Sequence, residues 1–131
     1  MIRKMIWKTD SEGCFVVGKY RVVTLCGSTR FRDAFMAAQK RLTLSGNIVI
    51  SVGLFGHSGD DEVWSEGVKA MLDDMHKRKI DMADEIFVVN VGGYIGDSTR
   101  SEIEYARATG KAVRYLEPQD GAAAGREALP H

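Results

Sequence analysis

Residues 20–26 read YRVVTLC and residues 27–30 read GSTR. The first run is short, mostly apolar and rich in β-branched residues, the pattern of a strand covered on both faces, as in a parallel sheet. Gly27 ends it. Ser28 and Thr29 belong to the residue types that cap helices. Phe31, Ala34, Phe35, Ala38 and Leu42 then recur at helical spacing, and Ser45-Gly46-Asn47 closes that helix. A strand that runs through a glycine turn into a helix is the unit from which α/β sheets are wound.

The same unit repeats downstream. Ile48 to Val52 reads as a second strand, and residues 53–62 as a loop with three glycines. Val68, Leu72, Met75 and Ala83 mark a second helix over roughly residues 64–83. Ile86 to Val89 is a third strand, residues 90–97 a second glycine-rich loop, and residues 98–109 a third helix with Gly110 as its terminator. Ala112 to Leu116 is a fourth strand. Strand and helix alternate throughout, which predicts a parallel sheet with helices on both faces. Residues 20–116 thus form one α/β domain. Residues 1–19 read as an N-terminal extension, with Met5–Lys8 and Phe15–Val17 as edge-strand candidates. Residues 117–131, EPQDGAAAGREALPH, read as a flexible tail.

The 131 residues suffice for one core, with 44% hydrophobic and 27% charged residues. Lys+Arg and Asp+Glu number 18 each, so the basic excess that DNA, RNA or an anionic membrane would call for is missing. The two cysteines, Cys14 and Cys26, form neither a CxxC pair nor a disulfide framework or four-ligand zinc site, and favour a reduced, cytoplasmic setting. The start, MIRKMIWKTD, turns polar by Lys8 and carries no apolar core of a secretion signal. No run approaches the ~20 apolar residues of a membrane span.

In such sheets ligands sit beyond the carboxyl ends of the strands. Three segments land there: residues 27–30, residues 53–62 and residues 92–102. In the first, Gly27 lets a ligand approach the backbone, the following helix offers free N–H groups, and Ser28, Thr29 and Arg30 add donors, together suited to an anion. The plainer reading is an ordinary turn capped by Ser28, with Arg30 in solvent. In the third, Gly92, Gly93 and Gly96 open a backbone pocket, Asp97, Ser98 and Thr99 start a helix, and Glu102 sits near its beginning. Glu102 is either a nucleophile or base facing the cleft, or the partner of Thr99 in a capping box. On the second helix Asp73, Asp74 and Asp81 read as a solvated face, and His76 points inward or toward the cleft rim. His57 with Asp60, Asp61 and Glu62 has no regular ligand spacing and reads as a polar lid rather than a metal site. Trp64, Tyr94 and Tyr105 can stack on a base or belong to core or rim.

Taken together, Leu-Cys-Gly-Ser-Thr-Arg at residues 25–30, Ala-Asp-Glu-Ile-Phe-Val-Val-Asn at 83–90 and Gly-Asp-Ser-Thr-Arg-Ser-Glu-Ile-Glu-Tyr-Ala at 96–106 resemble the nucleoside 2-deoxyribosyltransferase superfamily, which includes 2′-deoxynucleoside 5′-monophosphate N-glycosidases. The likeness spans residues 20–116. It implies a flavodoxin-like (Rossmann-like) fold, homo-oligomers whose neighbouring subunits complete the sites, and cleavage or transfer at an N-glycosidic bond of a nucleoside or nucleotide. By motif, Glu102 would be the nucleophile. Ser98, with Gly96 and Asp97, would match the loop that holds a 5′-phosphate, and Gly27, Ser28 and Arg30 the Gly-Ser-x-Arg turn of the first strand. His76 or Asp81 would support the sugar or the departing base. No cofactor and no metal are expected.

Two positions depart from the resemblance. Thr24 stands where the hydrolase branch carries a tyrosine, and His76 stands where a carboxylate is expected on counting back from Asp84. A non-catalytic nucleotide-binding or sensing module is therefore the alternative, followed by an interaction domain with a vestigial pocket.

Overall fold

The computed structural model describes the backbone of residues 4–10 and 13–119 and the side chains of residues 18–119. Its elements are β1 (Lys4–Asp10), β2 (Gly13–Lys19), β3 (Arg21–Gly27), α1 (Arg32–Leu44), β4 (Asn47–Ile50), α2 (Val68–Asp81), β5 (Glu85–Val89), α3 (Asp97–Ala108) and β6 (Ala112–Tyr115). Strands β3 to β6 form a four-stranded parallel sheet in the order β4-β3-β5-β6. This is the doubly wound, flavodoxin-like α/β arrangement, in which the first strand after the N-terminal extension lies inside and the chain winds outward in both directions. Residues Met5–Lys8 and Phe15–Val17 fall in β1 and β2. These pair antiparallel with each other as a separate two-stranded ladder rather than adding an edge to the main sheet.

The apolar runs are continuous because both faces of the sheet are covered. On one face Val23, Leu25, Phe87 and Val89 pack with Phe35 and Ala38 of α1 and with Phe55. On the other, Cys26, Ile86 and Val88 pack with Ile80 of α2 and with Ile103 and Ala106 of α3. All five residues of β5 are buried. Alternate side chains of one strand thus feed two different cores, and Cys26 is turned toward the α2/α3 side.

The amino ends of the central strands are closed by polar contacts. The Val22 N–H donates to the Asp84 carboxylate at 2.8 Å, and the Asp84 N–H donates to the Val22 carbonyl at 2.8 Å. Arg21 pairs with Glu85 at 2.8 Å. Asp84 of the Ala-Asp motif therefore extends the β3–β5 ladder, at the end of the sheet away from Gly27. The second helix starts later than its apolar spacing predicts. Residues Asp61–Trp64 form their own short 3-10 turn, and Gly67, at φ 82°, separates that turn from α2.

Gly27 closes β3 at φ 149°, where a Cβ atom would stand 2.7 Å from the Val89 carbonyl oxygen. The residue must be glycine for β3 and β5 to stay paired through Gly27–Val89. Beyond the sheet, Asn90 exchanges two 2.9 Å hydrogen bonds with the backbone of Glu117, and the Gly92 N–H donates to the Glu117 carboxylate at 2.9 Å. Of the tail read from Glu117 onward, residues 120–131 lie outside the described residues. Among the described residues no helix is long and apolar enough to cross a membrane.

Candidate functional site

From β3 the chain turns into α1 on one face, and from β5 it turns into α3 on the other. The divergence leaves a crevice at the carboxyl ends of the two strands, the position where doubly wound sheets bind ligands. A cleft of about 260 Å³ occupies it, with Gly27, Ser28 and Arg30 on one wall, Lys69, Asp73 and His76 of α2 on another, and Gly96, Asp97, Ser98 and Glu102 on a third.

The turn after β3 differs from the capped helix start its sequence suggests. The first helical residue is Arg32, the cap position is Phe31, and no side chain caps it. The Ser28 hydroxyl instead accepts the Arg30 backbone N–H at 3.3 Å and the Arg30 Nε–H at 3.1 Å. The Arg30 guanidinium also lies 4.6 Å above the Tyr94 ring. Arg30 is thereby held from two sides at the exposed rim of the cleft, and its remaining guanidinium donors are available to an anion.

Thr29 ties down the neighbouring loop. Its hydroxyl lies 2.7 Å from His57 Nδ1, and its carbonyl accepts from Ser58 at 3.0 Å. The loop is ordered by short 3-10 turns, by the Phe55 N–H donating to Asp60 at 2.7 Å, and by Phe55 packing edge-on to Phe35. His57 and Trp64 line the cleft, whereas Asp60, Asp61 and Glu62 do not.

The start of α3 removes the capping-box reading of Glu102. Gly96 is the cap position and Asp97 the first helical residue, so Thr99 and Glu102 both lie inside the helix, a turn too late to form the box. Thr99 is buried, and Glu102 is 9% exposed on the cleft floor. The first intrahelical bond is made by the Arg100 N–H to the Gly96 carbonyl at 2.9 Å. Among the described residues the N–H groups of Asp97, Ser98 and Thr99 have no partner, and these residues line the cleft, where a helix start favours negative charge. Lys69 reaches over from α2, donating to the Ser98 hydroxyl at 3.2 Å and to Asp73 at 2.9 Å.

Below these groups lie Cys26, His76 and Glu102, all buried. His76 Nε2 is 3.0 Å from the Leu25 carbonyl and 3.5 Å from Cys26 Sγ. A carbonyl only accepts, so Nε2 carries the proton and Nδ1 the lone pair. Burial, reinforced by the Lys79 ammonium, lowers the His76 pKa to about 4, and the ring is neutral at pH 7. Burial pushes Glu102 up to about 7. The nearby Asp73 charge adds to the rise, while a hydrogen bond with Cys26 and the ammonium groups of Lys69 and Lys77 oppose it. Burial and the adjacent Glu102 raise the Cys26 thiol well above its ordinary range. A desolvated carboxyl that titrates near neutrality within a donor-lined cleft is the kind of group enzymes use for acid, base or nucleophilic work.

The cleft thus brings together Gly27, Ser28, Arg30, His76, Gly96, Asp97, Ser98 and Glu102. It does not include Asp81, which ends α2 two turns beyond Asp73. Asp81 accepts from the Tyr105 hydroxyl at 2.5 Å and pairs with Arg78 at 2.9 Å, on the outer surface between α2 and α3. Tyr105 is therefore no stacking platform for the cleft, whereas Trp64 and Tyr94 line it. Thr24 points to α2, donating to the Lys79 carbonyl at 3.0 Å, and takes no part in the cleft. Asp73 lines the cleft rather than belonging to a solvated face, and Lys69, which the sequence pattern did not single out, lines it too. With His76 they follow an i, i+4, i+7 spacing on one helix face, and that periodicity was the available signal. Comparison of the chain with protein-family models, with curated proteins and with solved structures returns no match.

Proposed function

We propose that the cleft binds a nucleoside or nucleoside 5′-monophosphate and that Glu102 cleaves or exchanges its N-glycosidic bond. The observation that carries this reading is the buried Glu102 carboxyl, with a pKa near 7, on the floor of a cleft rimmed by anion donors. Arg30, the Ser28–Arg30 turn, Ser98 and the first-turn amides of α3 supply positive potential for a phosphate. Trp64 and Tyr94 offer aromatic surface for a base.

In the reaction, a Glu102 carboxylate oxygen forms a bond to the anomeric carbon as the bond from that carbon to the base nitrogen breaks. The electron pair leaves with the base, which takes a proton from solvent. Positive charge on the sugar builds opposite the carboxylate, as in retaining glycoside chemistry. Water then frees the sugar, or a second base takes it. His76 is neutral, so its role is to accept a hydrogen bond from ligand or water rather than to donate a proton.

The test is a chromatographic screen for free base after incubating the protein with ribo- and deoxyribonucleosides and their 5′-monophosphates. Wild type is expected to release base from at least one, and Glu102→Gln from none. Nucleotide binding without any release would replace this reading with that of a binding or sensing module.

A further inference from the structure

Cys26 ends β3, His76 lies in α2 and Glu102 in α3, yet one donor atom from each lies within 4.8 Å of the other two. We infer that these three side chains form a binding site for a divalent cation of borderline softness, zinc being the type, with a fourth coordination position open to the cleft.

The donor set selects the ion class. Thiolate, imidazole and carboxylate are the ligands of zinc, whereas magnesium and calcium take oxygen throughout. Three protein ligands and an open position toward a cavity is the arrangement of reactive rather than purely structural zinc sites. His76 and Glu102 line the cleft and Cys26 lies fully buried behind them, so an ion entering from the cleft meets all three.

The dimensions agree. Tetrahedral zinc bonds of about 2.0–2.3 Å place ligand atoms about 3.5 Å apart, and the three donor atoms already lie within 4.8 Å of one another, so closing on an ion takes only small side-chain shifts. Among the described residues His76 Nδ1 has no hydrogen-bond partner, while Nε2–H is held by the Leu25 carbonyl. A histidine whose second ring nitrogen is bonded to a backbone carbonyl is the usual outer arrangement of a metal ligand.

Charge balance favours occupancy. On binding, the Cys26 S–H bond breaks and its proton passes to solvent, as does any proton on Glu102. A thiolate, a carboxylate and a dication sum to zero, so the buried site gains no net charge. No electron transfer is involved. The inference does not depend on the proposed glycosidase reaction. An ion held by Glu102 would occupy the carboxylate that attacks the sugar, so base release would belong to the metal-free protein and zinc would inhibit it.

The test is titration of the chelator-stripped full chain with Co²⁺ in a thiol-free reductant. Expected are one-to-one binding, a thiolate-to-cobalt charge-transfer band, the intense visible bands of a four-coordinate ion, and displacement by Zn²⁺. Cys26→Ser should remove the charge-transfer band, and Glu102→Gln should weaken binding about tenfold or more. Cys14→Ser should change neither. Should Cys26→Ser fail to fold, X-ray absorption on the zinc-loaded wild type replaces it, with one sulfur in the first coordination sphere expected. A spectrum of six-coordinate cobalt only, a charge-transfer band that survives Cys26→Ser, or a zinc sphere without sulfur would overturn the inference.

Discussion

Glu102→Gln should make the metal-free protein more stable in alkaline solution and leave it nearly unchanged in acid. Burial raises the Glu102 pKa from 4.5 to about 7 in the folded chain. A group raised on folding contributes its full stability below the unfolded value, near 4.5, and that contribution is lost as pH rises through about 7. At about 1.36 kcal/mol per pH unit, the ionised carboxylate costs the fold about 3 kcal/mol well above pH 7 and under about 1 kcal/mol at pH 5. Glutamine has the same shape, carries no charge, and keeps an oxygen for the Cys26 thiol. Its extra N–H donors add an offset of about 1 kcal/mol that does not vary with pH. The measured quantity is the difference in unfolding free energy between variant and wild type, from urea denaturation followed by circular dichroism at pH 5 and pH 8.5 with a chelator present. That difference should grow by about 2.5 kcal/mol between the two pH values in favour of glutamine. Titrating groups that do not interact with Glu102 are common to both proteins and cancel. A pH-independent difference would mean that Glu102 ionises as an ordinary exposed carboxyl, and the argument from a desolvated cleft floor would fail.

Three further outcomes follow from the same geometry. Arg30→Ala should weaken binding of a nucleoside 5′-monophosphate roughly tenfold to a hundredfold by calorimetry and leave the nucleoside unchanged, because a charge-assisted contact is lost; equal loss for both ligands would remove phosphate from the turn. The kcat/KM for base release should rise about tenfold per pH unit below pH 7 and level off above it, because the nucleophile must be ionised; a profile falling through pH 7 would instead make Glu102 a proton donor. Gly27→Ala should cost about 1–3 kcal/mol in urea unfolding, because alanine is strained at this φ and its Cβ meets the Val89 carbonyl; unchanged stability would refute the requirement for glycine at that turn.

The alternation of apolar runs with helical spacing made the sheet legible, because a strand buried on both faces needs no polar alternation and β3 and β5 have little. Element starts were harder to read. The pattern Thr99-x-x-Glu102 is compatible with a capping box, but it does not say which residue opens the helix. Starting α3 at Asp97 moves Glu102 from the cap to the cleft floor. Ser28 and Thr29 read as caps for a similar reason, and their hydroxyls are used by Arg30 and His57. Asp73 and Asp81 look alike as acidic residues on one helix, yet eight residues of α2 separate them by about 12 Å. Only Asp73 reaches the cleft. The meeting of Cys26, His76 and Glu102 left no local trace, since their separations reflect the winding of the sheet rather than any ligand spacing.

The central claim is that Glu102 bonds to a sugar. Mass spectrometry of acid-quenched protein, taken within the first turnover on a nucleotide whose base is released, tests it directly. The predicted result is a mass increase of one sugar phosphate on the peptide containing Glu102, absent from Glu102→Gln. Base release at the wild-type rate by Glu102→Gln, with no adduct in either protein, would contradict the account.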